Sequence, residues 1–137
     1  MRLFVAAQLP QEMLEALSET SALLRASVQG RYVGPDLFHV TLAFLGELPG
    51  SEVSRLSQAI GEACATQAAF VTTLGALGTF GRARSAVLWQ GFCEGQDAWD
   101  SLAASVRSSL DAYGYRYDAK GFLPHVTLMR RADVSRG

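Results

Sequence analysis

The chain has 137 residues, 49% of them hydrophobic and 18% charged, a balance that fits one globular domain and excludes a disordered chain. A formal net charge of −1 excludes the global basic field of a general nucleic-acid binder. The basic side is lopsided, with eleven arginines and a single lysine, Lys120; arginine's planar fork suits phosphate, although genome composition produces the same bias.

The opening MRLFVAAQLPQ holds a mostly apolar run at 3–9 that reads as a buried strand. It is too short for a signal-peptide core or a membrane span, so the expectation is a soluble, cytoplasmic protein. Pro10 then suits a helix start, and Met13, Leu14, Leu17, Leu24 and Val28 give a helical stripe that Gly30 ends. A short extended piece at 31–33 leads through Gly34-Pro35-Asp36 into the strand FHVTLAFLG. A second helix is expected over 51–66, with Val53, Leu56, Ile60 and Ala63 or Cys64 on its inner face.

Residues 69–74 and 85–92 read as strands separated by the glycine-rich segment 75–81. A third helix spans about 96–113, with Trp99, Leu102, Val106, Leu110 and Tyr113 on one side and Gly114 as its stop. A loop then leads to the strand PHVTLMRR, and the sequence ends at Gly137. The order predicts one α+β domain over 1–137 with two related halves. Cys64 and Cys93 have no metal-ligand spacing, sit among apolar neighbours, and are expected as buried reduced thiols.

The two histidines of the chain, His39 and His125, each open the same tetrapeptide, His-Val-Thr-Leu. From average residue usage, a second copy of a given four-letter string in a chain this long is roughly a one-in-a-thousand event. Strand alternation puts His39 and Thr41 on one face and Val40, Leu42 and Phe44 on the other. In the second copy His125 and Thr127 share a face against Val126 and Leu128. If the two halves pack with these polar faces opposed, two imidazoles and two hydroxyls line one cleft.

That set suits in-line hydrolysis of a phosphodiester. Imidazole titrates near pH 6.5, so one ring can accept a proton from water while the other donates one to the departing oxygen. Threonine hydroxyls can donate to the non-bridging oxygens. The scheme requires no metal or other cofactor, and two histidines with no carboxylate at a convincing spacing make a poor zinc site. The bland alternative is a pair of hydrogen-bonded structural histidines.

These motifs resemble those of the 2H phosphoesterase superfamily, in its branch of RNA 2',3'-cyclic phosphodiesterases, also called 2'-5' RNA ligase-like proteins. MRLFVAAQLP resembles the opening strand, RYVGPDLFHVTLAFLGEL the first motif, GTFGRARSAVLWQGF the middle strand pair, and YGYRYDAKGFLPHVTLMRR the second motif. The resemblance implies a bilobal fold of two mainly antiparallel sheets with flanking helices, each lobe supplying one motif strand to a central cleft. It implies metal-independent hydrolysis of an RNA or nucleoside 2',3'-cyclic phosphate to a 2'-phosphate. His39 would then protonate the departing 3'-oxygen and His125 activate water, or the reverse. Thr41 and Thr127 would hold phosphate oxygens, and Arg130 would clamp the phosphate.

Arg130, five residues from His125, faces the wrong way on a regular strand, so a bulge or the strand end must redirect it; Arg131 has the right parity. Tyr32, Phe38, Phe80 and Phe122 flank the motifs and are candidates for base stacking or for packing. Arg82 and Arg84 are candidates for RNA phosphates or for solvated surface. Members of the family usually continue for several tens of residues past the second motif, so an incomplete terminal lobe is expected. A monomer is expected, with self-association through that lobe as a second outcome. The alternative functions are a non-catalytic module that binds RNA ends and an RNA 2'-5' ligase.

Overall fold

The structure, a computed structural model, describes residues 1–135. It contains β1 (Arg2–Ala7), α1 (Gln11–Leu24), β2 (Gln29–Tyr32), β3 (Val40–Glu47), α2 (Val53–Ala65), β4 (Thr73–Arg82), β5 (Ser85–Glu94), α3 (Gln96–Ala112) and β6 (Val126–Asp133). Short 3-10 turns at Pro35–Leu37 and Gly50–Glu52 lead into β3 and α2. The α+β class expected from the sequence is the one observed. Two compact units interleave along the chain, one formed by 1–7, 41–72 and 95–124 and the other, among the described residues, by 8–40, 73–94 and the stretch from His125 on. The division therefore passes through β3, between Val40 and Thr41.

In the first unit β1 lies beside β3. The Leu48 N–H donates to the Met1 carbonyl at 2.9 Å, where β3 ends and β1 starts, so the two run antiparallel. Helices α2 and α3 pack through small residues: the Ser105 and Ser109 hydroxyls donate to the Ala63 and Ala59 carbonyls at 3.0 and 2.7 Å. Leu56, Ala59 and Ala63 of α2 are buried against Trp99, Ala103, Val106 and Leu110 of α3. Alanine and serine at the crossing let the backbones approach; Val53, expected on the inner face, is exposed at the first position of α2. Gly114, at φ 80°, closes α3 as expected.

In the second unit α1 buries Leu17 and Ser21. Its helix ends at Leu24, earlier than the apolar stripe suggested. Gly30 belongs to β2, where only glycine fits: a Cβ there would sit 2.7 Å from the Met129 sulfur and 2.8 Å from the Arg131 carbonyl oxygen. Strands β4 and β5 form a hairpin, β5 pairs with β6, and β2 pairs with β6 on its other side, all antiparallel. The glycine-rich segment 75–81, expected as a connection, lies inside β4. Its glycines make room: a Cβ at Gly75 would come 2.9 Å from the Phe92 backbone, and one at Gly78 would collide with the Trp89 ring.

Val40, the first residue of β3, pairs with Val126 of β6. By hydrogen-bonded neighbours the strand order is β1-β3-β6-β5-β4, with β2 beside β6, and the mainly antiparallel pairing is the one expected. Two packing expectations also change. Cys64 and Cys93 are exposed rather than buried, the first on the outer side of α2 beside buried Ala63, the second at the end of β5 with its thiol against the Thr73 hydroxyl at 2.8 Å. Phe44 is 37% exposed, with the Arg2 guanidinium 5.4 Å from its ring, so Val40, Leu42 and Ala43 anchor β3 instead. Among the described residues no helix is long and apolar enough to cross a membrane.

Candidate active site

Both histidines lie in the second unit, each one residue ahead of a strand, and the two strands meet at the antiparallel pair Val40–Val126. Val40 and Val126 are antiparallel partners and both are fully buried. Continuing that register sets His39 opposite Thr127. Alternation then puts His39, His125 and Thr127 on the face away from the two valines. Directly opposite Cβ atoms lie about 5 Å apart and diagonal neighbours roughly 7–8 Å, which on continued strand geometry would make His39 and His125 a diagonal pair. All three residues are half-buried. Thr41 is also half-buried and belongs to the first unit.

His125 is backed by two aromatic rings from the hairpin. Trp89 is the β5 partner of Thr127, and its ring centroid is 5.7 Å from the imidazole. Phe80 meets the same imidazole edge-on at 5.3 Å and lies 5.0 Å from Trp89. Phe80 was legible as a residue beside the motifs, whereas Trp89 was not. The signal was present in the pairing of a strand tryptophan with glycines: the indole covers Gly78, and a Cβ at Gly91 would lie 3.2 Å from it.

The parity of Arg130 is resolved by bulges in β6. Between the pairs Trp89–Thr127 and Leu88–Met129, β5 advances one residue and β6 two. Leu128 and Met129 are consequently consecutive and both fully buried. Arg130 comes next, exposed, on the face that carries Thr127 and opposite Arg31 of β2. A second extra residue separates Met129 from Ala132, and Arg131 there has φ 51°, a strained backbone for a non-glycine residue.

The aromatic candidates divide. Phe38 is 5% exposed and belongs to the core, which leaves its ring no face for a base. Tyr32 is half-buried; its hydroxyl donates to the Val28 carbonyl at 2.8 Å and the Arg25 guanidinium lies 4.5 Å from its ring. Burial pushes the Tyr32 phenol above its ordinary pKa and Arg25 opposes that shift. Phe122, half-buried in the first unit, has the Arg107 guanidinium 6.0 Å from its ring. Among the described residues no group of three or more His, Cys, Asp or Glu side chains converges as a metal site.

The chain thus combines an antiparallel α+β fold with two His-Val-Thr-Leu segments whose strands meet at Val40 and Val126. The chain belongs to the 2'-5' RNA ligase superfamily, whose family model matches residues 15–136. It is 35% identical over 131 residues to the RNA 2',3'-cyclic phosphodiesterase of Escherichia coli (strain K12), covering 96% of this chain and 72% of that protein. It is 34% identical over 130 residues to the RNA 2',3'-cyclic phosphodiesterase of Geobacillus stearothermophilus, covering 93% of this chain but 41% of that protein, less than half its length. The crystal structure of E. coli LigT complexed with 3'-AMP superposes with a TM-score of 0.76 at 33% identity, covering 96% of this chain and 73% of LigT. LigT complexed with phosphate gives 0.69 at 32% identity, covering 99% and 73%.

Proposed function

We propose that this chain hydrolyses RNA or nucleoside 2',3'-cyclic phosphate to a 2'-phosphomonoester by a two-histidine acid–base mechanism. The observation that supports it is the Val40–Val126 register, from which strand alternation would bring His39, His125 and the β6 residue Thr127 to one face. One imidazole takes a proton from water as its oxygen attacks phosphorus. The bond from phosphorus to the 3'-oxygen breaks, and the other imidazole, protonated, gives its proton to that oxygen. Thr41, Thr127 and Arg130 hold the non-bridging oxygens as charge develops on them. The reaction leaves the 2'-phosphate, and the exchanged protonation states are restored through solvent.

The mechanism calls on no metal ion, which the experiment tests directly. Purified protein is incubated with a nucleoside 2',3'-cyclic monophosphate in excess chelator, and the 2'-phosphate product is followed. Turnover that continues unchanged is the expected result. Turnover that vanishes with the chelator would remove the two-histidine scheme. Tight binding of a 2'-phosphate end with no turnover in either condition would instead make the chain an RNA-end binding module.

A further inference from the structure

We propose that Trp89 and Phe80 are positioning residues for His125, a corner of two rings on the β4–β5 hairpin that holds the imidazole in one orientation. The proposal rests on the cyclic phosphodiesterase reading and adds what aims one of its two acid–base groups. His125 stands one residue ahead of β6, and the β5–β6 pairs run from Ala86–Ala132 to Gln90–Val126. The ladder orders the backbone as far as Val126. The ring torsion of a histidine is intrinsically broad and takes a single value only where contacts impose one.

Sheet geometry brings both rings to that imidazole. Trp89 is the direct partner of Gly78 on β4 and of Thr127 on β6, so its indole leaves the sheet on the Thr127 face. Phe80 and His125 each lie two residues along from those partners, and alternation gives them the same face. The imidazole is 5.3 Å from the Phe80 ring at an interplanar angle of 89° and 5.7 Å from the Trp89 ring at 60°. The two hairpin rings lie 5.0 Å apart at 35°. Contacts from two inclinations restrict rotation of the imidazole in its own plane and about its bond to Cβ.

Three features oppose stability here and are explained by that role. Gly78 and Gly91, both inside strands, leave open the space that the indole fills, and glycine weakens a strand interior. The Trp89 Nε1–H is buried with no hydrogen-bond partner among the described residues, a cost that phenylalanine or leucine would avoid. Phe80 keeps an apolar ring 42% exposed beside the other two. Departures of this kind concentrate at functional sites. An imidazole that transfers a proton must bring one nitrogen within about 2.6–3.2 Å of the reacting oxygen. A misplacement of about 1 Å can cost roughly a hundredfold in rate.

The test measures kcat and KM for a nucleoside 2',3'-cyclic monophosphate in wild type, Phe80→Leu, Phe80→Tyr, Trp89→Leu and Phe70→Leu. Phe70 meets Trp99 edge-on at 5.2 Å within the first unit and controls for loss of an aromatic contact. Phe80→Leu and Trp89→Leu should each lower kcat about 10- to 100-fold, with KM changed by less than about twofold. Phe80→Tyr should recover most of the lost kcat, and Phe70→Leu should retain it. The second readout is the NMR order parameter of the His125 imidazole C–H bonds, about 0.85 in wild type and below about 0.6 in the two leucine variants at the corner. A raised KM with unchanged kcat would make the rings substrate contacts and overturn the proposal. A kcat preserved in both corner variants would overturn it as well, leaving the hydrolase reading intact. If wild type turned over no cyclic phosphate, the hydrolase reading would fall. The order parameter would still decide the corner, because an imidazole equally rigid in every variant would refute it.

Discussion

Val40 stands directly opposite Val126, and both side chains are fully buried. Their burial fixes the register, because a slip by one residue would turn every side chain of the strand to the other face. Strand alternation from the same two valines would turn both imidazoles away from the core. His39→Ala and His125→Ala should each lower turnover of a cyclic phosphate by about 100- to 10,000-fold, the usual contribution of a positioned acid or base. Neither histidine is fully buried, so the melting temperature of each variant should stay within a few degrees of wild type. Retention of activity in both variants would remove the proposed chemistry.

Two histidines in opposite protonation states imply a bell-shaped dependence of kcat/KM on pH. One limb reports the group that must be deprotonated and the other the group that must carry a proton. A rate that rises to a plateau with one ionisation would instead indicate a single titrating group. The profile is measured with a nucleoside 2',3'-cyclic monophosphate, to keep strand binding out of the result.

Gly78 couples the hairpin to His125. A Cβ at this position would collide with the Trp89 ring, which itself lies 5.7 Å from the imidazole. Gly78→Ala should therefore destabilise the fold by about 1–3 kcal/mol through overpacking and should also displace the backing of His125. Adding Trp89→Leu should recover stability by removing the clash, without recovering activity, since the ring behind His125 is then missing. Urea denaturation and turnover on the four proteins of this cycle separate the two effects.

Much of this arrangement is written in residue patterns that act locally. The apolar stripes of the three helices and the His-Val-Thr repeat are legible because periodicity is set by neighbours in the chain. Segment 75–81 was misread because glycine ordinarily interrupts a strand, whereas here it accommodates an indole from the paired strand. The adjacency of the two motifs depends on strand pairing over long range, which no local pattern records. Arg130 illustrates the boundary. Parity alone required a bulge, yet its position at Leu128 and the partner Arg31 depend on the register of three strands.

Three tyrosines give the fold an alkaline limit. Burial raises the Tyr32 phenol above its ordinary value of 10.0, the hydrogen bond to Glu62 raises Tyr113, and burial followed by the Asp111 hydrogen bond raises Tyr117. A folded-state pKa above the unfolded one means the unfolded chain loses its protons first as pH rises. The associated stability is present below pH 10 and is lost as pH climbs through the folded values. Urea midpoints should fall above that pH, and Tyr32→Phe should flatten the decline. An unchanged slope in the variant would assign the loss to other groups.

Arg107 of α3 ties the loop before the second motif to β3 within the first unit. Its Nε donates to the Leu42 carbonyl at 3.2 Å and one terminal nitrogen to the Lys120 carbonyl at 2.9 Å. The same guanidinium lies 5.5 Å from the Tyr117 ring and 6.0 Å from Phe122. A planar fork can bridge two carbonyls while covering aromatic faces, and an ammonium cannot reproduce that geometry. Arg107→Ala should therefore cost about 1–3 kcal/mol, and Arg107→Lys should restore less than half of it. Amide exchange at 117–122 should accelerate in both variants, because their backbone loses its tether to the helix. Full rescue by lysine would show that charge alone holds the loop.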